Sequence, residues 1–265
     1  MEVKKTSFLP FAATLVRKNL ASAAAYRASF LGQVFFMFLN NTFFLAFWWL
    51  FFKRFQSLGQ WQLHDLLALY GMAAFAFGLS AVLFGNAVRL SSFIVNGTLD
   101  AYLALPRDPL LHIIMSRMSP AAMGDMFFGI ILVFFFTPTS WTKLPLFILL
   151  GVLGAIVFVS FAIVAHSLSF FFGSAEGVGR LLHEAVLTFS LYPESIFSGW
   201  VHTLLYTVFP AAFMSHVPVK LLQELSWSTL FSLIVVTGLW ALAAWSFFRY
   251  GLRRYESGNL IAPKS

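Results

Sequence analysis

The sequence predicts an all-α integral membrane protein with six transmembrane helices. Three observations carry that fold class: 60% of the 265 residues are hydrophobic, only 10% are charged, and the apolar residues gather in runs long enough to cross a bilayer. Soluble domains are about 45–50% apolar and about 25% charged, so water could not solvate this much apolar surface behind so few charges. The 34 Phe and 8 Trp suit lipid contact and interfacial anchoring. Cysteine is absent, which excludes disulfides, thiolate metal sites and cysteine nucleophiles.

All of 1–265 reads as one transmembrane domain. Residues 1–27 show no signal-peptide cleavage pattern, and their apolar residues are too interrupted for a leader core, so they form a cytoplasmic lead-in helix. Crossing the hydrocarbon takes about 20 apolar residues. The first such run is 30–52, closed by Lys53 and Arg54; the second is 66–88, ending at Arg89. A polar, proline-containing loop at 90–112 leads to the third run, 114–136. After a turn holding Pro138, the fourth run covers 144–172, long enough to tilt. The last is 225–248, followed by Arg249, Arg253 and Arg254.

The stretch between the fourth and last runs is less regular. Glu176, Arg180, His183 and Glu184 recur at helical spacing, after which the helix turns apolar and stops at Tyr192-Pro193. A short fifth span over 176–192, starting at the cytoplasmic interface, accounts for this. Residues 193–224 are apolar but broken by Gly199 and Pro210, as expected of two short helices that dip into the outer leaflet and return. The alternative is an amphipathic helix at 174–185 with a span over 186–213, and it must bury Glu194.

Six spans place both termini on one side. With that side inside, 13 of the 17 Lys and Arg lie inside, and Lys53, Arg54, Lys143 and Lys220 lie outside. This is the positive-inside bias. The net charge of +7 is spread over several inner loops, so it speaks for anionic lipid and against nucleic acid.

Gly71, Ala74, Gly78, Ala81 and Gly85 trace one face of the second span. Small residues let another helix approach closely, either a partner subunit or a neighbour in the same bundle. Asp125 falls two or three turns inside the third span and should face a helix or a wet cavity, as a gate charge, a structural pair with Arg89, Arg117 or Arg180, or an uncharged, hydrogen-bonded acid. Glu176, Arg180 and Glu184 offer i,i+4 ion pairs on a face that lines an inner vestibule or meets solvent. No phosphate-binding G-x-x-x-x-G-K-[ST] run and no metal-spaced cluster occurs, so no catalytic, cofactor or metal residues are assigned. In the inner loop, Thr98 can cap a helix over 99–105 that Pro106 ends, with Leu99, Tyr102 and Leu103 on one face. Such a helix suits docking on a soluble partner, or lies on the membrane surface.

Gly97-Thr98-Leu99-Asp100-x-Tyr102-Leu103 with Pro106 and Pro109-Leu110 resembles the cytoplasmic signature of ABC transporter permeases of the ABC-2 type. The likeness extends to Phe84-Gly85-Asn86, Gly124-Asp125, Tyr192-Pro193, Phe209-Pro210-x-Ala212-Phe213 and Gly251-Leu252-Arg253-Arg254-Tyr255-Glu256-Ser257. Leu105 stands where that family usually has a basic residue, with Arg107 beyond the proline. The resemblance implies an N-terminal amphipathic connecting helix, a coupling helix at 98–105 (Thr98, Leu99, Asp100, Tyr102, Leu103, with Pro106 and Arg107), and re-entrant helices before the last span. It also implies a bacterial inner-membrane permease subunit of an exporter that pairs with a second permease, identical or related. Separate ATPase subunits would hold ATP and Mg, and this chain would hold no cofactor. An ATP-independent secondary transporter or channel would favour inverted repeats and several intramembrane charges. A membrane enzyme or assembly scaffold is the remaining class, and an enzyme would need a convergent polar constellation. Neither an inverted repeat nor a polar constellation is visible.

Overall fold

The computed structural model describes residues 8–256, apart from Gln56, Gln60 and Ser174. Lys4, Lys5, Ser257 and Lys264, part of the charge and tail patterns above, lie outside the described residues. The described chain is helical, and its one isolated bridge, Leu58 with Trp61, closes the turn after the first long helix.

In chain order the helices are α1 (Phe8–Ala25), α2 (Arg27–Phe55), α3 (Leu63–Leu83), α4 (Leu90–Val95), α5 (Asp100–Leu103), α6 (Pro109–Met115) and α7 (Ala122–Phe136). They continue as α8 (Leu144–Ser167), α9 (Ser169–Phe172), α10 (Glu176–Leu191), α11 (Trp200–Tyr206), α12 (His216–Gln223) and α13 (Trp227–Leu252). Their starts follow local chemistry. The Asp108 carboxylate accepts from Leu111 N at 3.1 Å with Pro109 in the first turn of α6, and Ser226 caps α13 by accepting from Thr229 N at 3.4 Å.

Among the described residues, four helical stretches are long and apolar enough to cross a membrane: Arg27–Phe55, Leu63–Leu83, Trp141–Phe172 and Trp227–Leu252. A fifth is counted if Trp200–Tyr206 and Pro210–Gln223, bent by 51°, form one broken span. α7 is apolar but has 15 residues, which rise about 22 Å against a hydrocarbon thickness of about 30 Å.

The helix expected over 114–136 is interrupted, because α6 stops at Met115 and α7 begins at Ala122. Pro120 removes one backbone donor inside the break, and the end of α3 takes up the freed groups. Gly85 N donates to Arg117 O at 3.1 Å, and Ser119 N donates to Ala81 O at 3.0 Å. A Cβ on Gly85 would lie 2.8 Å from Arg117 O, so this join needs a glycine.

At the centre, α3 packs against α7 and also against α8, and α8 in turn packs against α13. Met72, Phe75, Val133 and Phe147 fill the space between them. The apolar windows of α3 and α8 are both 67% buried, whereas those of α2 and α13 are 11% and 22% buried. α2 and α13 therefore present their apolar faces outward, where lipid or another chain must cover them.

The bent pair is fastened at one end of the bundle. Lys143 Nζ donates to Leu222 O at 2.6 Å and to Gln223 O at 3.0 Å, neutralising the C-terminus of α12. Gln223 donates to Asp65 at 3.0 Å, and Ser215 Oγ donates to Ser190 O at 2.7 Å. Glu194 accepts from Lys220 at 2.6 Å and from Tyr206 at 2.7 Å, so its charge is matched where the turn after α10 meets α11 and α12.

Candidate functional site

Three polar assemblies stand out against the apolar bundle. The first surrounds α5. Gly97, at φ +71°, turns the chain so that α5 begins at Asp100, one residue later than the sequence suggests. Leu99 is consequently not on the outer face: it is fully buried with Leu90, Ile113, Ile163 and Phe248. The expected docking face of Leu99, Tyr102 and Leu103 is corrected accordingly, and the exposed apolar side chains are Leu103 and Leu105. Thr98 makes no cap, the position before α5 being Leu99 without a side-chain hydrogen bond.

α5 is held from three directions. Tyr102 packs edge-on against His112, 5.1 Å between centroids, and His112 against Phe11 of α1 at 5.0 Å. The Arg107 guanidinium lies 4.9 Å from the Phe11 ring. Burial, and then the neighbouring Arg107, hold the His112 imidazole below its usual range. From the C-terminal side comes Tyr255, whose hydroxyl is pushed up to about 12 by burial and then by the Asp100 carboxylate.

From this hub a hydrogen-bonded chain runs to the break before α7. Tyr102 OH donates to Ser116 Oγ at 3.3 Å, and Asn86 Nδ2 donates to the same oxygen at 2.8 Å and to Ile113 O at 3.2 Å. Asn86 directly follows the Gly85 join. A second connection leaves α4: Ser91 Oγ bonds His166 Nδ1 at 2.9 Å and donates to His166 O at 3.0 Å. A Cβ on Gly179 would fall 2.8 Å from that imidazole, so α10 rests directly on His166.

The second assembly is a cavity of about 500 Å³ beside the Gly85 join, between α3, the break before α7, α8 and α10. Phe77, Phe84 and Phe158 form apolar walls, and Arg89, Arg117 and His183 line it as well. It falls within the 300–1,000 Å³ usual for ligand pockets.

The third is buried inside the bundle. Tyr70 OH donates to Asn41 Oδ1 at 2.7 Å, and Asn41 Nδ2 donates to Asp125 Oδ1 at 2.7 Å. The Tyr70, Asn41 and Asp125 side chains are all buried. Asp125 sits in the first turn of α7, not two or three turns inside a span, so the helix N-terminus also faces its charge. Its partner is Asn41 of α2 and not Arg89, Arg117 or Arg180, so of the alternatives the hydrogen-bonded acid fits and the arginine pair does not.

The small-residue seam packs within the bundle. A Cβ on Gly71 would lie 2.6 Å from Val133 Cγ2, and one on Gly78 would lie 2.5 Å from Met126 N, both on α7. Ala74 is buried among Tyr70, Phe128 and Leu132, while Ala81 and Gly85 reach the cavity. Glu176, Arg180 and Glu184 are exposed on α10, and among the described residues no ion pair joins them. Asp100, Pro106 and Arg107 stay at the hub: Pro106 is exposed, while Asp100 and Arg107 are half-buried. Sequence reasoning missed the cavity, whose two arginines are 28 positions apart; their nearness follows only from the Gly85 join.

A family model described as ABC-2 family transporter protein matches residues 37–258. No curated protein and no solved structure matches the chain.

Proposed function

Because this chain belongs to the ABC-2 family of transporter proteins, we propose that it is the transmembrane permease subunit of an ABC exporter. It works with separate ATPase subunits, which hold ATP and Mg, and with a second permease chain, itself or a relative. The observation that carries the reading is the α5 hub. A short turn exposes Leu103 and Leu105 while Tyr102 reaches Ser116 and the end of α3 by hydrogen bonds. A push on that turn moves the α6–α7 break and the cavity wall together, as rigid elements with two arrangements do.

In this reading six spans run through α2, α3, α7 with its break, α8–α9, α10 and α13. The hub and both termini face the cytoplasm of a bacterial inner membrane. The bent pair α11–α12 is re-entrant, supported by its bonds to Asp65, Lys143 and Ser190, residues that sit at the same end of the bundle. Glu176, Arg180 and Glu184 face an inner vestibule between the two permeases. The exposed apolar faces of α2 and α13 meet the second chain or lipid. Asp125, bonded to Asn41, ties α7 to α2, so their relative movement must pass through this contact.

Purification of the tagged full chain in mild detergent is expected to bring down a P-loop ATPase; a chain that purifies without one contradicts the proposal. Reporter fusions after Trp200 and Leu222 are expected to report the outer face, and an inner-face reading at either contradicts the six-span arrangement. Asp125→Asn keeps the carbonyl acceptor for Asn41, so it is expected to preserve assembly while altering transport. Asp125→Leu leaves the buried Asn41 amide nitrogen without its acceptor and is expected to lower stability by about 1–3 kcal/mol, read from thermal unfolding in detergent. Normal transport by Asp125→Asn would leave the residue with a structural role only.

A further inference from the structure

The cavity beside the Gly85 join has a chemistry that the transporter assignment does not supply. Its ionisable lining consists of Arg89, Arg117 and His183; among the described residues no carboxylate lines it. Both arginines are exposed, and among the described residues neither has an ion pair. They are also held in place by backbone. Arg117 O accepts from Gly85 N at 3.1 Å, and Arg89 N donates to Asn86 O at 3.0 Å. Deeper in, the His183 ring lies 4.6 Å from the Phe158 ring, and its buried Nδ1 has no hydrogen-bond partner among the described residues. Phe77 and Phe84 complete an apolar interior behind a cationic mouth.

From this arrangement, and resting on the exporter reading for the side from which the cavity fills, we infer that it admits an amphipathic organic anion. The negative headgroup sits between Arg89 and Arg117, and the apolar body lies against Phe77, Phe84 and Phe158. Guanidinium groups match phosphate, sulfate and carboxylate oxygens geometrically and are weakly hydrated. Two unmatched cations over an apolar chamber favour a negative ligand and oppose a positive one. An inorganic anion would satisfy the mouth and leave the aromatic interior unused. A neutral amphiphile would leave both charges unanswered. The headgroup chemistry is shared by an anionic lipid of the inner leaflet and a single-chain amphiphile from the cytoplasm. The site is also poised for control from the hub, since Ser116, which Tyr102 and Asn86 hold, is the neighbour of Arg117.

The test uses the full chain in phosphatidylcholine nanodiscs, without nucleotide, titrated with radiolabelled dodecyl phosphate. Saturable binding is expected, and Arg89→Gln with Arg117→Gln should weaken it by at least about tenfold, as loss of charge-assisted hydrogen bonds does. The paired Arg→Lys variant, which keeps both charges, should retain most of the affinity and so separates loss of the site from loss of the fold. Competition by phosphatidic acid placed in the nanodisc identifies a lipid source. Its failure to compete identifies a single-chain amphiphile, and both results support the site. Undiminished binding by the paired Gln variant would overturn the inference. So would equal competition by dodecyltrimethylammonium or by inorganic phosphate. Recruitment of an ATPase by a chain without this selectivity would refute the anion site alone, whereas selective binding by a chain that recruits none would refute the exporter reading alone.

Discussion

Replacing Gly78 with valine is expected to destabilise the bundle strongly. A Cβ at this position would lie 2.5 Å from Met126 N and 2.7 Å from Ala122 O. Both obstacles are backbone of α7, so no side-chain rotation relieves the clash, and α3 and α7 must separate. Overpacking costs about 1–3 kcal/mol even where side chains can move, and here the cost belongs at the upper end. In thermal unfolding the detergent-purified variant should melt roughly 5–10 °C below the parent. Gly238→Ala is the matched control, because nothing lies within 4 Å of its added Cβ; it should melt with the parent. Equal melting of Gly78→Val and Gly238→Ala would show that α3 and α7 do not meet along this seam.

The second large effect belongs to the hub. Exchanging Leu103 and Leu105 for serine removes the exposed apolar surface of the α5 turn, 40% and 43% exposed, without opening a cavity. The purified assembly is expected to keep its melting temperature while its ATP hydrolysis becomes indifferent to the permease, matching the ATPase subunits alone. Leu99→Ala should behave in the opposite way. Leu99 is fully buried, so truncation leaves a void costing about 2–5 kcal/mol, and the variant should fail by unfolding. Hydrolysis still controlled by the permease in the double serine variant would remove α5 from the coupling path.

Much of this architecture was legible in the residues. Apolar runs mark the long helices because a spanning helix must be apolar along its length, and the seam Gly71, Ala74, Gly78 was readable from helical periodicity. Periodicity tells which residues share a face, but not what that face meets. The seam's partner in α7 therefore stayed open between a second chain and the same bundle until Gly78 was found against Met126. Asp125 clearly needed a polar neighbour, and the sequence left an arginine pair and a hydrogen-bonded acid both open. Asn41, 84 positions away, satisfies it by hydrogen bonding instead, a match that follows from how α2 leans on α7. The helix over 114–136 was overextended because its apolar run outweighed Pro120, the breaker it contains; Gly85 and Ala81 from another segment stabilise the interruption. Leu99 was misplaced by a single residue of helix start, since the turn at Gly97 swings it inward.

The central claim is that the α5 turn receives work from a nucleotide-hydrolysing neighbour. A photoactivatable amino acid at position 103, in the full chain in its native membrane, tests it most directly. The expected product is a crosslink to a P-loop ATPase whose yield changes when ATP is added. Crosslinks confined to lipid, with and without ATP, would place α5 on the membrane surface and contradict the account.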